Sequence, residues 1–194
     1  MFKNFIAAVA ARTAQLLNYS DLSADVGISD KTAKKWLSVL EMSGLVYILQ
    51  PYYNNFTKRI SKTPKMYFLD TGLAAYLTRH ATAEQLEVSY MNGAFLETYV
   101  LCEILKSYWL NAKEAPLYFY RASAKKEIDF IIDCGPTTYA IEIKKTAMPT
   151  LKAAKNFDVL DSLKKNIGKK VILSLSEKIM PLSHEVVSIP ISLL

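Results

Sequence analysis

The chain has 194 residues, of which 51% are hydrophobic and 22% charged, with a formal net charge of +6. This length and hydrophobic fraction allow a buried core and two small domains, and no run approaches the ~18 apolar residues of a membrane-spanning helix. Cys102 and Cys134 form neither a metal-ligand spacing nor a disulfide framework, so we expect a cytoplasmic protein without a membrane partner. The positive charge favours an anionic partner.

Residues 1–80 predict a winged helix-turn-helix domain. Apolar residues at helical spacing indicate helices over residues 2–17, 21–26, 30–43 and 71–78, with strands over 45–49 and 65–69. The residues expected to cap helix N-termini are Ser20, Ser29 and Asp70. A polar, basic stretch between the two strands would form the wing; it contains Asn54, Asn55, Lys58, Arg59 and Lys62.

Residues 79–91 are weakly patterned and are expected to link this domain to a second one over 92–194. The second domain is expected to be α+β with a mixed sheet, so the whole chain falls in the α+β class. Its predicted helices cover 92–110 and 149–165, and its predicted strands cover 117–122, 126–133, 138–145, 169–175 and 186–193. Pro190 in the last strand argues for a sheet edge.

Strands 126–133 and 138–145 are expected to form a hairpin around the turn Cys134-Gly-Pro-Thr137. Pairing Phe130 with Ile141 and Ile132 with Tyr139 puts the large apolar groups on one face. The same register places Asp129 opposite Glu142, with Cβ atoms about 5 Å apart, and like charges so close are destabilising. A positive group is therefore expected between them, either Lys144 or a divalent cation.

The order of helix, three-stranded meander, helix and strand, with an acid on the first helix and Asp…Glu-x-Lys on the meander, resembles the PD-(D/E)XK nuclease core. Glu97 matches the helix acid, Asp129 the motif aspartate, and Glu142 and Lys144 the Glu-x-Lys. The whole chain is also similar to the C-terminal part of a group of prokaryotic AAA+-type ATPases carrying a domain of unknown function. The matching stretches are 11–18, 28–33, 64–73, 93–97 and 127–130.

This resemblance implies a Mg²⁺ site whose ligands are Asp129, Glu142 and Glu97, and a catalytic set of Asp129, Glu142 and Lys144. A bound Mg²⁺ would neutralise phosphate charge and activate water for phosphodiester hydrolysis. Residues around the preceding turn would contact the phosphate backbone; these are Tyr120, Arg121, Lys125 and Lys126. The resemblance also implies an upstream ATPase domain of the same protein as a partner, because the chain has no Gly-x-x-x-x-Gly-Lys-Ser/Thr loop.

The helix over residues 30–43 is the second of the helix-turn-helix, and such a helix enters the DNA major groove. Lys31, Lys34 and Lys35 on it would contact phosphates, which makes DNA the expected partner. Trp36, Leu37, Val39, Leu40 and Met42 are expected to pack in the core. The alternatives are a solvated lysine face, or a winged helix that contacts protein.

The sequence therefore predicts a nucleic-acid-associated module of an AAA+-type ATPase with a Mg²⁺-dependent nuclease-like site, and DNA endonuclease activity as one outcome. The alternative is a non-catalytic DNA-binding or protein-interaction module, since nuclease-like folds do not imply cleavage. In that case Asp129 and Glu142 would lie on a solvated polar sheet face, and Glu127 would form a cross-strand ion pair with Lys144.

Overall fold

The computed structural model of the chain describes residues 1–53, 63–123, 126–163 and 165–194. Two compact units are present: residues 1–49 with 63–102, and residues 50–53 with 103–194. The predicted α+β class with a mixed sheet is confirmed. None of the helices in the described ranges is long and apolar enough to cross a membrane.

The first unit packs helices around a small antiparallel sheet with strand order β1-β3-β2. Its core includes Phe5, Leu22, Leu37, Leu40 and Phe68. In chain order the elements are α1 (Phe2–Ala10), β1 (Gln15–Leu16), α2 (Tyr19–Val26), α3 (Asp30–Met42), β2 (Val46–Leu49), β3 (Lys65–Phe68), α4 (Thr71–Leu77), α5 (Ala83–Glu87) and α6 (Asn92–Trp109). Helix α6 runs past Cys102, where the first unit ends.

The prediction of one helix over residues 2–17 is wrong, because the helix ends at Ala10 and the chain then joins the sheet. Ala14 adopts a left-handed backbone (φ 61°) and its N–H donates to Met66 O at 2.8 Å. The buried hydroxyl of Thr13 accepts the N–H of Phe68 at 3.0 Å. Main-chain bonds to β3 therefore replace the helical bonds that the apolar pattern would have continued.

Two of the three predicted caps are confirmed. Ser29 accepts the N–H of Thr32, and Asp70 accepts that of Leu73. Ser20 is not the cap of α2: the side chain of Asn18 accepts the N–H groups of Ser20 and Asp21, so the helix begins at Tyr19. Two acceptable capping residues lie within three positions, and the pattern alone did not choose between them.

Residues 79–91, interpreted above as a linker, have structure of their own. They contain α5, whose N-cap is Thr82, and the buried Met91. The ring nitrogens of His80 are held by the hydroxyls of Thr78 (2.9 Å) and Ser89 (3.0 Å). His80 is thus a hydrogen-bonded structural residue.

In the described part of the second unit, six strands form a mixed sheet with order β4-β5-β6-β7-β9-β8. Strands β4 to β6 are antiparallel, β6, β7 and β9 are parallel, and β8 returns antiparallel to β9. The bounds are β4 (Leu117–Ser123), β5 (Lys126–Asp133), β6 (Thr138–Lys144), β7 (Lys170–Ser174), β8 (Met180–Pro181) and β9 (Val186–Pro190), with 3-10 helices over Leu151–Leu163 and Ile191–Leu193.

Two predictions for this unit need correction. The helix after Pro149 is present, but Leu151–Leu163 is of the 3-10 type. Strand β9 does not form the sheet edge, because β8 pairs with its outer side. Pro190 is tolerated because it is the last residue of β9.

Candidate functional site

The β5–β6 hairpin has the predicted register where residues 130–133 pair with residues 138–141. Phe130 pairs with Ile141 and Ile132 with Tyr139, and the turn closes with Cys134 N–H donating to Thr137 O at 3.1 Å. Next to the Phe130–Ile141 pair, the side chain of Asp129 accepts a hydrogen bond from the main chain of β6. Its Oδ2 accepts the N–H of Ile143 at 2.8 Å. The hairpin therefore holds the Asp129 carboxylate at the N–H of Ile143, the residue between Glu142 and Lys144.

Glu142 is a buried carboxylate, with only 1% of its surface exposed. Its Oε2 accepts from Lys144 Nζ at 2.6 Å, and its Oε1 from Asn156 Nδ2 at 3.4 Å. Burial disfavours a charged carboxylate unless it is paired and hydrogen-bonded, and Lys144 and Asn156 supply both conditions. The alternative of a solvated polar face is thus wrong for Glu142.

The burial of Glu142 follows from the sheet being covered on both faces. Ile131 and Ala140 pair across the hairpin and are fully buried, although alternation assigned them to the polar face. The 3-10 helix Leu151–Leu163 contributes Phe157 and Leu160 to the same core cluster. The prediction of a single apolar face is therefore incomplete, because this helix covers the face that carries Glu142.

Glu97 lies on α6 and belongs to a charged cluster of the first unit. Its Oε1 accepts from Lys65 Nζ at 2.9 Å and from the Tyr67 hydroxyl at 2.6 Å. The side chain of Lys65 is only 5% exposed, so Glu97 compensates a buried ammonium. Its role as a metal ligand stays a prediction.

The predicted phosphate-contacting residues of the β4–β5 turn have different surroundings. Arg121 is half-buried; its Nε lies 3.6 Å from Glu127 Oε2 and donates to Ser123 O. Lys126 is exposed. Tyr120 is buried in the core, which argues against the suggested phosphate contact. Lys125 lies outside the described residues.

Helix α3 presents a basic stripe, since Lys31, Lys34 and Lys35 are all exposed. Lys34 Nζ lies 5.3 Å from the ring centroid of Tyr19, in cation–π geometry. Burial raises the pKa of the Tyr19 phenol, with a smaller contribution from Glu41. Ser29 caps the start of this helix, and the hydroxyls of Ser20 and Ser23 in α2 donate to the carboxylate of Asp30 in its first turn.

The packing face of α3 is narrower than predicted. Leu37 and Leu40 are buried, and Trp36 makes edge contacts to the rings of Phe2 and Phe5 at 5.1 and 5.5 Å. Val39 and Met42 are exposed (44% and 79%), so placing them in the core was wrong. The exposed surface of α3 is therefore basic in its N-terminal half and apolar towards its C-terminal end. The predicted wing residues 54–62 lie outside the described residues.

Sequence reasoning missed several of the side chains that contact these acids, among them Asn156 at Glu142, and Lys65 and Tyr67 at Glu97. Asn156 reaches Glu142 from a different element, and no local pattern marks that contact. A lysine at the start of an otherwise apolar strand was a usable signal for Lys65, because a buried ammonium requires an acid.

A family model described as a domain of unknown function (DUF8612) matches residues 1–84, and one described as a domain of unknown function (DUF4143) matches residues 92–194. Two mycobacterial proteins, named Uncharacterized protein Rv2008c in Mycobacterium tuberculosis and Uncharacterized protein Mb2031c in Mycobacterium bovis, are each 28% identical over 176 residues.

That alignment covers 91% of this chain and 38% of each relative, so the chain spans well under half the length of the relatives. No solved structure matches the chain at a significant level. The DUF4143 model covers more than half of the residues of this chain, so the chain belongs to the DUF4143 family.

Proposed function

We propose that the chain is a nucleic-acid-associated module of an AAA+-type ATPase, whose C-terminal domain carries a PD-(D/E)XK nuclease-like site that binds Mg²⁺. The observation that carries the proposal is the hydrogen bond from Ile143 N–H to Asp129 Oδ2 at 2.8 Å. It brings a carboxylate from β5 to the Glu-x-Lys of β6, which is the grouping that the sequence resemblance implies.

The element order of the second unit supports this proposal. Helix α6 is followed by the antiparallel strands β4, β5 and β6, a helix, and a parallel strand β7. In the first unit, α2 and α3 precede the antiparallel pair β2 and β3, the order expected for a winged helix. We therefore propose a winged helix for the first unit and a restriction-nuclease-like fold for the second.

The donor chemistry of Asp129 and Glu142 fits Mg²⁺, which prefers carboxylate oxygens and commonly takes one or two from protein. Among the described residues, no group of three or more His, Cys, Asp or Glu side chains is arranged to hold a metal ion. Two protein carboxylates, with the remaining positions left to water and a substrate phosphate, are the arrangement that this ion uses in phosphate chemistry.

When bound, Mg²⁺ would neutralise phosphate charge and activate water for attack. The chain's own residues would position the reactants. Ile143 N–H orients the Asp129 carboxylate, and Asn156 orients that of Glu142. The side chain of Lys144 is 34% exposed, so its ammonium can stabilise negative charge developing on a phosphate oxygen while it remains beside Glu142.

Association with an ATPase is the other part of the proposal. The curated relatives continue well beyond the aligned stretch, which leaves room for a further domain in those proteins. In this arrangement the ATP-binding part lies outside the present chain, and the module supplies nucleic-acid contact through Lys31 and Lys35 of α3.

The nuclease proposal is tested by nicking of supercoiled plasmid by the purified chain, with Mg²⁺ or Mn²⁺ and with chelator. Asp129→Asn keeps an oxygen that can accept the Ile143 N–H but removes the charge. This substitution should lower the rate of plasmid cleavage at least about 100-fold. The matched control is Asp158→Asn, which neutralises an exposed carboxylate of the 3-10 helix. Equal cleavage by both variants, or cleavage without metal, would refute the nuclease site.

One observation favours a second function, a non-catalytic binding module. Both oxygens of Glu142 already have hydrogen-bond donors, from Lys144 and Asn156, and the carboxylate is buried. A purely structural charge cluster would have this arrangement. Under this hypothesis plasmid stays intact with every metal, whereas a fluorescent DNA duplex still binds at low salt and is released as salt rises. Failure of that binding would leave protein contact as the module's role.

A further inference from the structure

A cavity of about 560 Å³ lies at the end of the six-stranded sheet where β7 and β9 begin. The loop over residues 165–169 and the two residues before β9 form much of its wall. Ile167 contributes apolar surface next to the almost fully buried Leu160, and the charged or titratable wall residues are Asp161, Lys165, Lys169, Lys170, His184 and Glu185. Its volume lies in the range of small-molecule sites, about 300–1,000 Å³.

The loop is fixed to the sheet by its backbone. Gly168 N–H donates to Thr138 O, and Asn166 O accepts the N–H of Thr138, both at 2.9 Å. A Cβ at Gly168 would lie 2.6 Å from the Tyr139 ring, so the loop is in close contact with β6. The two lysines that flank this contact, Lys165 and Lys169, are thus held on a preorganised backbone, which lowers the entropy cost of binding a ligand.

The charge balance of the wall favours an anion. Lys170 Nζ pairs with Glu185 Oε2 at 2.9 Å, and this hydrogen bond lowers the pKa of Glu185. That pair is internally neutral. Lys165 and Lys169 are exposed, and neither forms an ion pair with a described residue. Their two positive charges exceed the single negative charge of Asp161, and His184 also lines the cavity.

We propose that this cavity binds a phosphate-bearing ligand, with Lys165 and Lys169 as the phosphate contacts and Ile167 against its apolar part. The site is separate from the Asp129–Glu142–Lys144 group, because it lies at the Thr138 end of β6. Lys144 is six residues further along that strand, roughly 20 Å away. The phosphate can belong to a nucleic-acid backbone or to a free nucleotide. The first source rests on the function proposed above, and the second does not.

The test compares two variants of equal charge change in the full chain. Lys165→Gln with Lys169→Gln removes the proposed contacts, and Lys152→Gln with Lys155→Gln removes two exposed lysines of the 3-10 helix as control. The probes are inorganic phosphate, AMP and a labelled 20-nucleotide DNA strand. Binding is followed by amide chemical shifts of residues 165–170 and by fluorescence anisotropy.

We expect phosphate and AMP to shift the amides of Gly168 and Lys169 in wild type and control, and to lose at least about tenfold in affinity in the cavity variant. If DNA is the source, the slope of log affinity against log salt concentration falls by about 1.4 in that variant, as expected for two contacts to a single strand, and by less in the control. AMP binding without a DNA effect assigns a free nucleotide. Equal affinities of cavity variant and control for all three probes would overturn the proposal. Repeating the titration with Asp129→Asn separates it from the metal site, because phosphate binding should persist there.

Discussion

The ammonium of Lys144 lies 2.6 Å from a carboxylate oxygen of Glu142, a residue that is only 1% exposed. The two residues are separated by one position on β6, so their side chains point to the same face of the sheet. The negative charge of this pair is therefore buried in the protein, whereas its positive charge is partly exposed to solvent.

Replacing Lys144 by Met should destabilise the chain, because Glu142 would keep its burial and lose its cation. Because Lys144 is partly exposed, we expect a loss of about 1–3 kcal/mol in the free energy of unfolding, below the value for a fully buried pair. Urea denaturation measures it. Lys152→Met, at an exposed site, should change stability by less than about 0.5 kcal/mol. Equal effects would mean that the Lys144–Glu142 pair does not contribute to stability.

In the first unit, Glu97→Gln should destabilise more strongly, by about 3–5 kcal/mol, since it leaves the buried Lys65 ammonium without its acid. Tyr67→Phe removes one donor to Glu97 but keeps the ion pair, and should cost about 1 kcal/mol. Thermal and denaturant unfolding of the two variants gives the order. If Tyr67→Phe is the more harmful, the ion pair is not the dominant contribution of this cluster.

The start of α3 should show acid-dependent stability. The carboxylate of Asp30 accepts hydrogen bonds from Ser23 and Ser20. These bonds lower its pKa below the ordinary value of 3.8, and the bond from Ser23 has the larger effect. A lowered folded-state pKa stabilises the fold above that ordinary value, and the contribution is lost as pH falls through the folded-state pKa. The charge-dependent deficit of Ser23→Ala should therefore be full at pH 7 and shrink below pH 3.8.

Melting temperatures of wild type and Ser23→Ala between pH 7 and pH 2 test this expectation, with Ser38→Ala at an exposed position of α3 as the matched serine control. A deficit that stays constant over the whole range would show that Ser23 acts through packing alone.

DNA affinity should depend on the lysines of α3. The double variant Lys31→Gln with Lys35→Gln should lower the slope of log affinity against log salt concentration by up to about 1.8 for duplex DNA. Each lost phosphate contact accounts for about 0.9 of this change. Lys3→Gln with Lys113→Gln, also exposed, has the same charge change and should have a smaller effect. Anisotropy titrations between low and moderate salt measure the slopes. Identical slopes for the two double variants would remove α3 from the DNA interface.

The hairpin could be predicted in detail because alternation has a period of two, and a slip of one residue would have moved Phe130 and Ile141 to the other face. The helix predicted over residues 2–17 is too long because the strand that follows the true helix is too short to show a periodicity of its own. Leu16 continues a helical spacing, but strand β1 has only two residues and depends on distant main-chain partners in β3. No periodicity can be detected in so short a strand.

The surroundings of the acids were not predictable from local sequence. Glu142 is buried because a 3-10 helix, nine or more residues further along the chain, covers its face and brings Asn156 to it. Lys65 is buried because Glu97, on another element, compensates it. Both contacts are tertiary, and tertiary packing overrides the tendency of charged residues to remain in solvent.

The most direct test of the central claim is a crystal of the chain soaked in Mn²⁺, with anomalous scattering collected to locate the metal. We expect a single strong peak with Asp129 and Glu142 carboxylate oxygens about 2.0–2.3 Å away and the Lys144 ammonium nearby. A peak elsewhere, or none at this position while Lys144 stays bound to Glu142, would contradict it.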